Sequence, residues 1–208
     1  MVNVKDGRFN KLFVCILVVV LIITLTASVT YAYILASGSA NFTFATANGV
    51  NTTLTLTTVK ESSNMVPLLD SRVGTAIRNS CVDKNNYNVC SLYTVKLSNS
   101  SSSETLYGYV KTVSSSYTTN NLRYQIFDSS YNAVTDVMTV SNSSNTLVYF
   151  KKNSSNVSIT SSGNVTYYFV IWLTDTNSGQ SDDYSKSFSG AIGFELIGAN
   201  SDKLEANF

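Results

Sequence analysis

Asn164-Val-Thr-Tyr-Tyr-Phe-Val-Ile-Trp-Leu173 is the stretch that decides the fold class. Drawn as a strand, it sends Val165, Tyr167, Phe169 and Ile171 to one side and Tyr168, Val170 and Trp172 to the other. Both sides are apolar, and β-branched and aromatic types dominate. Such a segment reads as a central strand covered on both faces.

Working outward, Phe188 to Ile197 is a second strand, with Phe188, Ile192, Phe194 and Leu196 on one face beside Gly190. It is predicted to pair with Asn164–Leu173 in the core. Upstream, Thr53 to Val59 alternates Leu with Thr, and Ala40, Phe42 and Phe44 alternate in the same way. Leu92–Asn99 and Glu104–Val113 are separated by the run Ser100 to Ser103, which reads as a hairpin or as two neighbouring strands. Leu122–Phe127, Val134–Val140 and Thr146–Phe150 complete the set. The helical signal is weak: Met65 to Asp70 and Ser71 to Arg78 read as a connecting turn with a few helical residues. Short strands joined by polar turns predict an all-β fold, a two-layer antiparallel sandwich of jelly-roll or immunoglobulin-like topology.

The surface is built from hydroxyls and amides. Charged residues are 13% of the chain, while Ser, Thr and Asn together exceed a third. Formal net charge is +1, and no basic patch or acidic tail stands out, which argues against nucleic acid as a partner. Ten Phe and 13 Tyr supply enough apolar surface to exclude a disordered chain.

Leu12 to Val29 carries no charge, beginning with LFVCILVVVLIITL, and is preceded by Lys5, Arg8 and Lys11 against Asp6 alone. A run of about 18 apolar residues spans a bilayer as a helix, and the basic flank stays in the cytoplasm. A signal peptide has the same layout with a shorter apolar core and small residues before its cut, here Thr30-Tyr31-Ala32. Both readings stay open. Residues 1–11 are a basic cytoplasmic segment, 12–32 a transmembrane or signal-anchor helix, and 33–208 an extracellular domain. That domain is anchored in the membrane, or released to the cell envelope by a signal peptidase cutting between Ala32 and Tyr33. After such a cut the strand Ala40–Ala45 lies near a free terminus. It then pairs within its own domain, or adds to a neighbour's sheet edge and builds fibres by self-association.

Cys81 and Cys90 bracket the polar loop CVDKNNYNVC and are predicted to form a disulfide in an oxidising exterior. Cys15, inside the apolar run, reads as a small filler. The chain has no histidine, so imidazole-activated nucleophiles and most zinc protease sites are absent. No spacing singles out a Ser-Lys pair. The loop Asp175 to Asp183 offers Asp175, Asn177, Asp182 and Asp183 as calcium ligands. It departs from a calcium loop where Gly179 takes a ligand position and Lys186 replaces the closing Glu, and a solvated turn is the alternative. No cofactor is expected.

Three stretches resemble the exported β-sandwich proteins of Gram-positive bacteria related to TasA and camelysin. Thr30-Tyr31-Ala32-Tyr33 is similar to signals cut by the SipW-type peptidase, with Ile34 replacing an aromatic residue. Cys81-Val-Asp83 with Val89-Cys90-Ser-Leu-Tyr93 resembles a cysteine-bracketed turn in such proteins. Ile171-Trp172-Leu173, Asp175, Gln180 and Phe188-Ser-Gly190-Ala-Ile192 resemble their closing strand pair. The resemblance implies a jelly-roll-like envelope or matrix protein, fibre-forming in some members. Camelysin relatives carry a metalloprotease label, which a chain without histidine does not fit. The expected function is therefore a non-enzymatic surface or matrix protein, structural or adhesive. The alternatives are an exported hydrolase with a Ser-Lys or metal-carboxylate site and a membrane-anchored ligand-binding module.

Overall fold

The computed structural model describes residues 42–45, 52–62, 64–197 and 203–208. The predicted segments 1–11 and 12–32 and the Ala32–Tyr33 cut lie outside them. Among the described residues no helix is long and apolar enough to cross a membrane.

The chain is all-β and antiparallel. The strands are β1 (Phe42–Ala45), β2 (Thr52–Lys60), β3 (Ser91–Ser115), β4 (Leu122–Asp128), β5 (Met138–Thr139), β6 (Leu147–Tyr149), β7 (Lys151–Lys152), β8 (Ser155–Asn156), β9 (Ser158–Leu173), β10 (Phe188–Leu196) and β11 (Lys203–Asn207). Nine of them form one sheet: the path β1-β2-β3-β9-β4-β5, with β6 and β10 also on β3 and β11 on β10. β7 and β8 form a separate small pair.

Two long strands carry this arrangement. Residues 92–99 of β3 pair with β2 on one side, and residues 91–99 pair with residues 163–171 of β9 on the other. Past a register shift between Asn99 and Glu104, β3 runs beside β10, and on its opposite edge beside the start of β9 and then β6. The expectation of a hairpin or of two neighbouring strands about Ser100–Ser103 is therefore corrected to one continuous strand. The serine run does not reverse the chain, because β9 follows β3 on both sides of the shift. β9 makes its own irregularity at the same level, where Gly163 takes φ +63°. Extra residues in a ladder bend the strand and increase its twist. At this bend the Thr52 hydroxyl donates to Glu104 Oε2 at 2.6 Å and lies 2.7 Å from the Ser161 hydroxyl, so buried polar groups there are satisfied.

Folding over at the bend brings the two ends of the sheet to a common core. Leu54, Leu56, Val95, Leu97, Phe169 and Ile171 cluster with Ile192, Phe194, Leu204 and Ala206. The opposite face of β9 buries Val170 and Trp172 in a second cluster with Leu92 and Phe127. This cluster is closed by helix α1 (Val73–Arg78), whose Val73, Ala76 and Ile77 fall on one face, and by the Cys81–Cys90 disulfide. The disulfide is fully buried, with Cα atoms 5.0 Å apart. A loop of this size contributes roughly 2–3 kcal/mol in the chain-entropy model.

The two-faced reading of Asn164–Leu173 holds, but its predicted pairing with Phe188–Ile197 does not. A strand has two edges, and those of β9 are taken by β3 and β4, so β10 pairs with β3 and β11 instead. β11 was not anticipated; it alternates buried Leu204 and Ala206 with outward Lys203 and Glu205. Of Val134–Val140 only Met138–Thr139 is strand, because the Val134 N–H and the Thr135 hydroxyl already bond the Ile126 backbone through a turn.

Candidate functional site: a polar, aromatic-walled cleft

Because β3 folds over, its first residues and the segment that follows it meet at the same end of the domain. Ser91 and Tyr93 from the start of β3, Tyr117 from beyond its end, and Phe188 opening β10 line a hollow of about 270 Å³. Glu61 and Lys186 bring opposite charges to its wall. Phe208 seals the inner side: its ring lies 5.3 Å from Tyr93 and 4.8 Å from Phe169, and its backbone N–H bonds the Gly190 carbonyl at 2.9 Å.

A second hollow of about 250 Å³ shares Met65, Tyr117 and Lys186 with the first and adds Asn64, Gln180, Asp183 and Tyr184. A short 3-10 turn, Ser181–Asp183, turns Asp183 inward, leaving it 6% exposed. Its carboxylate accepts from the Thr119 hydroxyl, from Asn121 Nδ2 at 2.7 Å and from Gln180 Nε2 at 3.3 Å. Burial pushes this carboxyl up, but the bonds from Asn121, Thr119 and Gln180 and the charge of Lys186 outweigh it and hold it below the ordinary aspartate value of 3.8. A depressed carboxyl contributes stability that is present above the unfolded value and lost as the pH falls through the folded one. Asp183→Asn is therefore expected to shrink the loss of thermal stability on acidification below pH 3.8, measured as Tm against pH beside the unmodified chain.

The hydroxyls of the cleft are neutral donors and acceptors. Burial first, then the charge of Glu61, raises Tyr93 to about 12, against the opposing bond from Ser91. Burial and then Asp183 raise Tyr117. The serines in the first hollow are engaged locally. Ser62 Oγ donates to the Cys90 carbonyl at 2.9 Å, Ser91 Oγ accepts the Ser62 N–H at 3.0 Å, and Ser187 Oγ lies 3.4 Å from Ser116 Oγ.

The four calcium candidates do not converge. Asp175 Oδ1 accepts the Asn177 N–H at 2.8 Å within its own turn, Asp182 is exposed, and Asp183 faces Thr119 and Asn121. Among the described residues no three His, Cys, Asp or Glu side chains are placed to hold a metal. Asp175 borders a third, wider groove of about 740 Å³, floored by Leu68, Ala76 and Val89 under α1. Of the cleft residues, sequence reasoning named only Asp183 as a site residue, in another role. Tyr184, directly after the acidic turn, was the available signal.

No family model and no curated protein matches the chain. Among solved structures it is similar to a PA14 sugar-binding domain from an RTX adhesin, at a TM-score of 0.30 and 10% identity, over 79% of this chain and 85% of that one.

Proposed function

We propose that this chain is an exported, non-enzymatic protein of the cell surface or extracellular matrix, structural or adhesive in role. Residues 12–32 direct it across the membrane, and residues 33–208 form the outer domain. Its finer architecture is a two-layer sandwich, jelly-roll-like or immunoglobulin-like, whose layers share β3 and β9 across the bend. The resemblance to exported proteins related to TasA and camelysin supports the same reading. So does a surface dressed with hydroxyls and amides rather than ions.

The observation that carries the non-enzymatic part is the state of the cleft's hydroxyls. Ser62, Ser91 and Ser187 bond to backbone groups and to other serines, and no imidazole exists to activate them. Self-association by strand addition would proceed through exchange of β1, which here pairs with its own β2, Phe42 opposite Leu56 and Ala45 opposite Thr53.

Protease shaving of intact Gram-positive cells expressing the chain, with N-terminal sequencing and a fluorophosphonate serine probe, tests this. The expected outcome is a domain cleavable from outside or released beginning at Tyr33, with no labelled serine. Protection from external protease, or a covalent adduct on Ser62 or Ser187, overturns it.

A further inference from the structure

We propose that the double cleft binds a neutral oligosaccharide laid across both hollows, an inference that rests on the adhesive reading above. Three features point to this ligand chemistry. The first is Tyr184, a residue 83% exposed beside the second hollow. An aromatic ring left in water offers an apolar face of the kind that stacks on the C–H face of a pyranose.

The second feature is the nature of the polar groups. Asn64, exposed beside the second hollow, carries a planar amide suited to the paired hydroxyls of a sugar, Asp183 behind it is engaged by Thr119, Asn121 and Gln180, and Tyr93 and Tyr117 remain protonated donors. Gln180 Nε2 donates to the Thr174 carbonyl at 2.9 Å and to Asp183 at 3.3 Å, so its amide is held in place before a ligand arrives and its Oε1 keeps a lone pair to accept from a sugar hydroxyl. Two carboxylates, Glu61 and Asp183, against the single ammonium of Lys186 disfavour acidic sugars.

The third feature is size. Drug-sized ligands occupy pockets of roughly 300–1,000 Å³. Each hollow, at about 270 and 250 Å³, falls just short of that range and suits a single ring. Their shared wall of Met65, Tyr117 and Lys186 is the place where one chain would cross from one hollow to the other. Two or more linked rings are thus bound more tightly than one.

The test uses the full chain in phospholipid nanodiscs, free of sugar detergents, titrated calorimetrically with maltohexaose, cellohexaose, chitohexaose and their monomers. At least one hexaose is expected to bind about tenfold or more tightly than its monomer. Hydroxyl-radical footprinting with that hexaose should protect Tyr184 and leave Tyr87, which is 58% exposed on the disulfide turn, unprotected. Tyr184→Ala should weaken binding about tenfold without changing Tm. Absence of binding by all five sugars at millimolar concentration overturns the inference, as does binding insensitive to Tyr184→Ala with no protection of that ring. Loss of the saccharide inference with surface exposure intact leaves the adhesive reading standing. Cleavage of a bound hexaose removes the non-enzymatic reading while keeping the site.

Discussion

Trp172→Ala lowers the stability of the β domain by about 3–5 kcal/mol. The side chain is wholly buried and packs with Ile77, Leu92, Phe127 and the disulfide on the outer face of β9. Removing the indole leaves a cavity that the surrounding helix and disulfide turn are too constrained to close. The indole N–H also donates to Asp70 Oδ1 at 2.9 Å, but that oxygen keeps the Thr174 hydroxyl at 2.7 Å, so the cavity is the larger part of the loss. Trp172→Phe narrows the loss, since it keeps most of the volume and forfeits the hydrogen bond with a small part of the packing; a loss of roughly 1–2 kcal/mol is expected. Trp172 is the chain's only tryptophan, so unfolding must be followed by circular dichroism rather than by its fluorescence. An unchanged urea midpoint in Trp172→Ala would show that the side chain is not a core residue.

Gly108→Ala is the second large effect, and it arises from overfilling. A Cβ at Gly108 would sit 2.2 Å from Phe150 Cε2 and 2.3 Å from Cδ2. The Phe150 ring cannot swing aside: it is fully buried, with its centroid 6.2 Å from that of Tyr124 and 6.0 Å from that of Phe194. Its own N–H bonds the Gly108 carbonyl at 2.8 Å, which ties the two backbones together. Overpacking of this kind costs about 3 kcal/mol. Gly74→Ala in α1 is the contrast: nothing lies within 4 Å of its added Cβ, and helix propensity predicts a gain of about 0.5–1 kcal/mol. Equal urea midpoints for the two variants would contradict the packing described here.

The alternation of residues 164–173 was legible because a strand sends neighbours to opposite faces whatever lies around it. Phe169 and Ile171 do enter one cluster, and Val170 and Trp172 the other. The disulfide was legible for the same local reason. Partner choice was not. Which edge β10 joins depends on β3 and β4 having taken both edges of β9, a fact of the whole sheet. The serine run in β3 has the composition of a turn, and only the antiparallel pairing with β9 on both sides of it keeps it extended. The cleft was the least visible. Asp183 meets Thr119 and Asn121 across 64 and 62 positions of sequence, so no local spacing marks their contact.

β11 bears on the order in which the domain can form. Its residues Lys203–Asn207 pair with β10 and also lie near β1 and β2, so the sheet joins the two ends of the described chain. Leu204 and Ala206 are wholly or almost wholly buried, and Phe208 closes the aromatic group around Phe169. A core that needs contacts between residues more than a hundred positions apart folds slowly, on a scale of milliseconds to seconds. A chain made from its N-terminus therefore emerges without its native core, and the fold closes only when residues 203–208 have joined it. Late closure is built into the strand order.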